Sequence, residues 1–285
     1  MDAIRSVGVV GAGTMGLGIA QVCASAGFVT RLFDVNSHQV ERAVRTIGEN
    51  LAAAVAKNKL SEEEKSAVLK RIHPAHSLDE LNVDLIIEAA VEKLDIKQDL
   101  FRKLEEVTNG KSILATNTSS ISVTQIGSVL KDPTRCIGLH FFNPADRMKL
   151  VEIISGRYTS SEVVDYIRQF SRTIGKNAVL AKDSPGFIVN RVARHFYVES
   201  LLLLGNQVAT VGEIDALMRS TGFRMGPFEL MDLIGVDTNL SVTTLVYEGF
   251  NRANKFAPNP IQQQLVKEGK LGKKTGNGFY VYETR

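Results

Sequence analysis

A chain of 285 residues that is 44% hydrophobic and 23% charged is long enough for two domains with apolar cores, and its mixed composition excludes a disordered or fibrous protein. The net charge of +3 suits attraction of phosphorylated small molecules, but no dense basic stripe with interleaved aromatics accompanies it, which argues against a nucleic-acid partner. Apolar runs such as LIIEAAV and SLLLLG fall far short of the roughly 20 residues of a membrane span. No cleavable leader is expected before the first strand, and Cys23 and Cys136, without CxxC spacing, fit a reducing cytoplasm.

The N-terminal stretch SVGVVGAGTMGLGIAQVCASAGFVTRLFDV predicts a βαβ unit. A buried strand over Val7 to Val10 meets a glycine turn, then a helix with Ile19, Val22 and Cys23 on one face, then a second strand ending at Asp34. The turn reads G-A-G-T-M-G: Gly11 allows the tight bend, Gly13 lets a pyrophosphate approach the backbone, and Gly16 permits close packing of helix on strand. An anion then sits on the helix N-terminus, so Gly11, Gly13, Thr14, Met15 and Gly16 are the candidate phosphate cradle. Asp34, about 20 residues on, can accept both ribose hydroxyls, whereas a 2′-phosphate would meet like charge there. NAD is favoured over NADP; Arg31 lies inside the strand pattern and is poorly placed to compensate.

From Asn36 to about Ser77 the pattern is helical, an insertion with a capping box at Ser61 to Glu64. Lys57 and Lys59 read more cheaply as a solvated helix end than as a phosphate site, and His73 and His76 in HPAH read as a loop rather than a metal site. Strand and helix patterns then alternate through VDLIIEAA, a helix from about Leu94 to Val107, SILATNTSS, RCIGLHFFNP and LVEIIS. Alternation of this kind means a doubly wound α/β sheet, in which ligands collect outside the carboxyl ends of the strands, where Glu92, Asn117, Ser119, His140 and Asn143 fall. In GLHFFNPADRMKLVEII, His140 and Glu152 each interrupt an apolar run. A satisfied core histidine and a water-facing glutamate is the bland reading; a mutually paired catalytic couple is the sharper one, since Glu152 shares its strand face with Leu150 and Ile154 and needs a partner there.

After about Asp183 the signals are helical, so two domains are expected: residues 1–183, Rossmann-like, with the helical insertion at about 36–77, and residues 184–285, all-α. Asn190 lies early in the first long helix of the second domain, near enough to the linker to face a crevice between domains; His195 on the same helix reads as structural. The basic KLGKKTGNG is better read as a solvated turn or a subunit contact than as a phosphate site.

Taken together, GAGTMGLGIA, NTSS, GLHFFNPADRMKLVEII, SPGFIVNR, MGPFELMDLIG and KKTGNGFY resemble the 3-hydroxyacyl-CoA dehydrogenases over essentially the whole chain, and especially the short, single-function bacterial members that act on 3-hydroxybutyryl-CoA. The resemblance implies an NAD-dependent enzyme that oxidises an (S)-3-hydroxyacyl-CoA to the 3-ketoacyl-CoA (3-hydroxybutyryl-CoA to acetoacetyl-CoA), and a helical domain that forms a homodimer. It also implies that His140 is the general base, Glu152 its orienting carboxylate, and Ser119 and Asn190 the groups that hydrogen-bond the reacting oxygen. Asp34 would hold the adenosine ribose, with Glu92, Lys97, Asn117 and Asn143 along the rest of the cofactor. Each has an alternative: Ser119 as a helix cap, Asn190 as a satisfier of helix-start backbone, and Glu92 with Lys97 as a surface pair. The rival functions are a dehydrogenase of a free hydroxy acid or sugar acid and a non-catalytic NAD-binding protein.

Overall fold

The computed structural model describes residues 4–283, so the outer limits expected for the two domains, residues 1 and 285, lie outside the described residues. The chain separates into two compact units that divide between Asp183 and Ser184.

The first unit runs β1 (Ser6–Val10), α1 (Thr14–Ser25), β2 (Val29–Phe33), α2 (Ser37–Val55), α3 (Glu62–Lys70), β3 (Ile72–Pro74), β4 (Leu85–Glu88), α4 (Leu94–Val107), β5 (Ile113–Thr116), α5 (Val123–Gly127), β6 (Cys136–Phe141), β7 (Leu150–Ser155), α6 (Ser161–Thr173) and β8 (Asn177–Lys182). The strands form one sheet in the order β3-β2-β1-β4-β5-β6-β7-β8, parallel throughout except where β7 turns back antiparallel to β6. Strand order reverses between β1 and β4, which makes their carboxyl ends the crevice where such sheets take ligands; Val10 and Glu88 are directly paired there. β1, β4, β5 and β6 are short, β-rich and almost wholly buried, as strands covered on both faces must be. One face packs Val7, Val9, Ile19, Leu32, Leu85 and Ile87 into the main core.

Residues 36–77 follow the helical insertion expected for them except at HPAH, where a strand stands in place of the expected loop. The capping box at Ser61 and Glu64 is present and opens α3, but the segment then ends in a strand, β3, which pairs with β2 at the sheet edge and carries His73. The pairing of Arg31 with His73 across two parallel strands supplies the backbone partners, and a three-residue edge strand leaves too little alternation to be read from sequence.

The second unit is all helical: α7 (Val189–Gly205), α8 (Val211–Ser220), α9 (Pro227–Ile234), α10 (Val236–Gly249) and α11 (Pro260–Lys267). Its core gathers Tyr197, Leu201, Ile214, Phe228 and Met231 from three of these helices.

Candidate active site

The glycine turn has the geometry that a pyrophosphate needs. Gly11 holds φ +102°, and a Cβ there would lie 2.5 Å from the Ala89 carbonyl oxygen; a Cβ on Gly16 would lie 1.7 Å from the carbonyl of Gly11. Neither position accepts another residue. At Gly13 the reverse holds: a Cβ would meet nothing within 4 Å, so open space stands over the start of α1. Among the described residues no side chain caps that helix, which leaves the N–H groups of its first turn to an outside anion. Thr14 and Met15 form that first turn. A cavity of about 600 Å³ opens beside it, bounded by Ala12, Gly13 and Thr14 on one side, Arg42 and Asn50 of α2 on another, and Asn143 beyond. Asp34 follows β2 directly and uses one carboxylate oxygen to accept the Ala12 N–H at 2.7 Å and the other to accept Asn36 N–H at 2.9 Å. The carboxylate is therefore already fixed against the glycine turn, with lone pairs left on both oxygens. These residues fit the phosphates and one ribose of a dinucleotide.

His140 and Glu152 face each other across the antiparallel β6–β7 ladder in direct register, where side chains share one face. Nδ1 of His140 lies 2.8 Å from Oε2 of Glu152. Both are buried, His140 at 6% and Glu152 at 1% exposure, and the Phe142 ring packs on the imidazole at 4.5 Å between centroids. A water-facing glutamate is thereby excluded. An ionised carboxylate only accepts, so Nδ1 is the donor of the pair. Asn117, just past β5, accepts the Phe141 N–H on its side-chain oxygen at 2.8 Å and so ties the end of β5 to the residue after His140.

Ser119 and Glu92 are joined through the loops that follow β5 and β4. Oε1 of Glu92 accepts from the Thr118 hydroxyl at 2.5 Å, the Ser119 N–H at 3.1 Å and the Ser120 hydroxyl at 3.0 Å, while Oε2 lies 3.2 Å from Nζ of Lys97. Desolvation works to raise the Glu92 carboxyl, but the Lys97 ammonium and these donors outweigh it and hold the group below its ordinary value. The surface-pair alternative does not hold, because Lys97 is only 1% exposed. Nor does Ser119 cap the helix after NTSS: that role belongs to Ser122, whose hydroxyl accepts from Gln125 N–H. Asn190 is the second residue of α7 in the second unit, and His195 stacks on Phe256 at 5.1 Å within that unit.

Among the buried ionisable residues that escaped the sequence reading, Glu88 lies nearest in the sheet to these groups. Glu88, the last residue of β4, is fully buried and binds Nζ of Lys97 at 2.6 Å, the Thr116 hydroxyl at 2.7 Å and the Ala90 N–H at 2.7 Å. The signal was available in LIIEAA, a carboxylate closing an apolar strand, and in the burial stripe of α4, where Lys97 precedes Phe101, Leu104 and Glu105 at helical spacing.

Comparison with known proteins agrees with this architecture. A family model described as the NAD binding domain of 3-hydroxyacyl-CoA dehydrogenase matches residues 6–184, and the model of that family's C-terminal domain matches residues 186–282. The 3-hydroxyadipyl-CoA dehydrogenase of Escherichia coli is 46% identical over 279 residues, 97% of this chain, which spans only 59% of that protein's length. The 3-hydroxybutyryl-CoA dehydrogenase of Bradyrhizobium diazoefficiens is 42% identical across 98% of this chain and 96% of its own. The crystal structure of (S)-3-hydroxybutyryl-CoA dehydrogenase from Ralstonia eutropha superposes with a TM-score of 0.96 at 39% identity, covering 99% of this chain and 100% of that one. With both family domains matched in order along a chain whose glycine turn and Asp34 suit a dinucleotide, this protein belongs to the 3-hydroxyacyl-CoA dehydrogenase family, and its first unit is that family's NAD-binding domain.

Proposed function

We propose that this chain oxidises an (S)-3-hydroxyacyl-CoA to the 3-ketoacyl-CoA with NAD, and runs the reverse reduction, the pair 3-hydroxybutyryl-CoA and acetoacetyl-CoA being the first to test. The observation that carries the proposal is the buried His140–Glu152 couple, registered on neighbouring strands with Nδ1 2.8 Å from the carboxylate. Bound NAD supplies the acceptor for the two electrons and hydrogen leaving C3. The rest is the work of this chain's residues. Gly11, Gly13, Thr14, Met15 and Gly16 hold the cofactor's phosphates, and Asp34 its adenosine ribose. Nε2 of His140 takes the hydroxyl proton of the substrate, and Glu152 keeps the imidazole in the required tautomer and stabilises the imidazolium that results. In reduction the same Nε2 returns that proton. Ser119 donates to the reacting oxygen, with Asn190 added by the family resemblance, and Glu92, Lys97, Asn117 and Asn143 order the remaining cofactor side. One relative is named for 3-hydroxyadipyl-CoA and another for 3-hydroxybutyryl-CoA, so a dicarboxylic acyl chain is the natural second substrate to assay. Free acetoacetate is the control for a free hydroxy-acid dehydrogenase.

His140→Ala should lower turnover by roughly 10² to 10⁴-fold while leaving NADH affinity nearly unchanged, because the cofactor is held by the glycine turn and Asp34. Near-normal turnover, or a loss that tracks lost NADH binding in fluorescence titration, would make His140 a structural residue. Two further readings belong to the same proposal. Cys23 and Cys136 are both free and buried, with burial pushing the Cys23 thiol up to about 12, as suits a cytoplasmic protein that needs no disulfide. Among the described residues no helix is long and apolar enough to cross a membrane. A homodimer through the helical unit completes the reading.

A further inference from the structure

We propose that Glu88 is a positioning residue of the reaction centre, acting through Lys97 on Glu92 and thereby on the backbone at Ser119; the inference rests on the function proposed above. Glu88 sits at the carboxyl end of β4, paired with Val10 of β1 on one side and Thr116 of β5 on the other, at the point where strand order reverses. A carboxylate with no exposed surface in the middle of a sheet is costly unless it is paired and hydrogen-bonded. Here Lys97 pairs with it, and the Thr116 hydroxyl and Ala90 N–H occupy further lone pairs. Lys97 takes a place in the buried stripe of α4, where stability alone would favour an apolar side chain.

The ammonium that Glu88 fixes is shared. Its second carboxylate is Glu92, 3.2 Å away and a third exposed, and the other oxygen of Glu92 gathers Thr118, Ser119 and Ser120. Two carboxylates on one ammonium leave Glu92 incompletely neutralised, so it can hold the loop after β5 by its remaining charge. If Glu88 is neutralised, Lys97 has Glu92 as its sole anion and draws it inward, away from the Ser119 N–H. Small displacements of this kind at a reacting centre cost about 10² in rate.

Four variants decide the matter: Glu88→Gln, the double variant Glu88→Gln with Lys97→Met, Glu92→Gln, and His140→Ala. Each is assayed for kcat and KM with acetoacetyl-CoA and NADH, for NADH affinity by fluorescence titration, and for Tm. Glu88→Gln should lower both Tm and kcat, the latter about 10 to 100-fold. The double variant removes the lone buried charge and should recover Tm towards wild type, yet keep kcat at least about tenfold down. If kcat instead recovers with Tm, Glu88 and Lys97 only support the fold and the proposal is overturned. Should the double variant not fold, Glu92→Gln decides: a kcat loss of the same size at unchanged Tm supports the relay, and kcat within about twofold of wild type overturns it. Loss of turnover in His140→Ala with normal turnover in the relay variants defeats only the positioning role. Normal turnover in His140→Ala, or none in the wild type, defeats the function and the relay together.

Discussion

At the scale of single residues, the proposed chemistry sets opposite demands on one imidazole: as the general base, His140 must be neutral for oxidation and protonated for reduction. The two directions should therefore give mirrored pH profiles, oxidation rising with pH and reduction falling. Glu152 is buried at 1% exposure and touches Nδ1, so it fixes the orientation of the imidazole, and Glu152→Gln should lower turnover in both directions by about tenfold or more while leaving NADH affinity nearly unchanged. Turnover of the variant within about twofold of wild type in both directions would remove Glu152 from the couple. The pair was legible in the sequence because each residue breaks an apolar run and strand alternation can be counted. What alternation could not supply is the register that sets His140 directly against Glu152, since the antiparallel return of β7 is decided by the loop between them. Glu88 carried the same signal as Glu152 but lacked a family role to draw attention to it. Its partner Lys97 shares its charge between two carboxylates.

At the scale of elements, the C-terminal strip is the part of the fold that sequence described least well. KLGKKTGNG reads as a solvated turn or a subunit contact, and the residues just after it fold back on α9 through one buried carboxylate: Asp232 accepts Phe279 N–H at 3.0 Å, Tyr280 N–H at 2.9 Å and the Tyr282 hydroxyl at 2.9 Å. A Cβ on Gly278 would fall 2.1 Å from the same carboxylate, which explains a glycine at that place. Asp215 repeats the device, accepting Phe228 and Glu229 N–H at the start of α9 and the Tyr280 hydroxyl at 2.7 Å. No periodicity marks such long-range capping, because its donors are turn backbone and its acceptor lies some 50 residues earlier. Burial first, and then the neighbouring carboxylate, push both tyrosine phenols well above their ordinary 10.0. A raised folded value means that the contribution is fully present below about pH 10 and is lost as pH rises beyond it. Tyr282→Phe should lower stability by about 1 kcal/mol at neutral pH, the net worth of one hydrogen bond. The Tm gap between that variant and wild type should then narrow above pH 10. A gap that stays constant across pH 8 to 11 would mean that the phenol contributes packing alone.

At the scale of the whole molecule, the two units expose apolar surface unequally. Among the described residues, ten of the eighteen exposed large hydrophobics lie from Ser184 on, although that unit holds only 102 of the 285 residues. Val192 on α7 is 66% exposed, Val208 in the turn before α8 is 65% exposed, and Leu217 on α8 is 64% exposed, positions that a small helical unit gains nothing by leaving in water. About a third of the chain is too small to hide such residues in one core while keeping Tyr197, Leu201, Ile214, Phe228 and Met231 already there. A second copy of the chain is the simplest cover, since symmetric pairing buries the same patch twice and a stable pair needs roughly 1,200 Å² or more in total. Sedimentation at micromolar concentration should give twice the 31.2 kDa chain mass. Leu217→Glu, which places a charge at an exposed position of α8 and leaves the glycine turn and Asp34 unaltered, should weaken that assembly by about tenfold or more if α8 is within the contact. Because the glycine turn, Asp34 and the His140–Glu152 couple all lie in the first unit, NADH affinity should survive that change. A wild-type chain that sediments as a stable monomer at this concentration would remove the pairing.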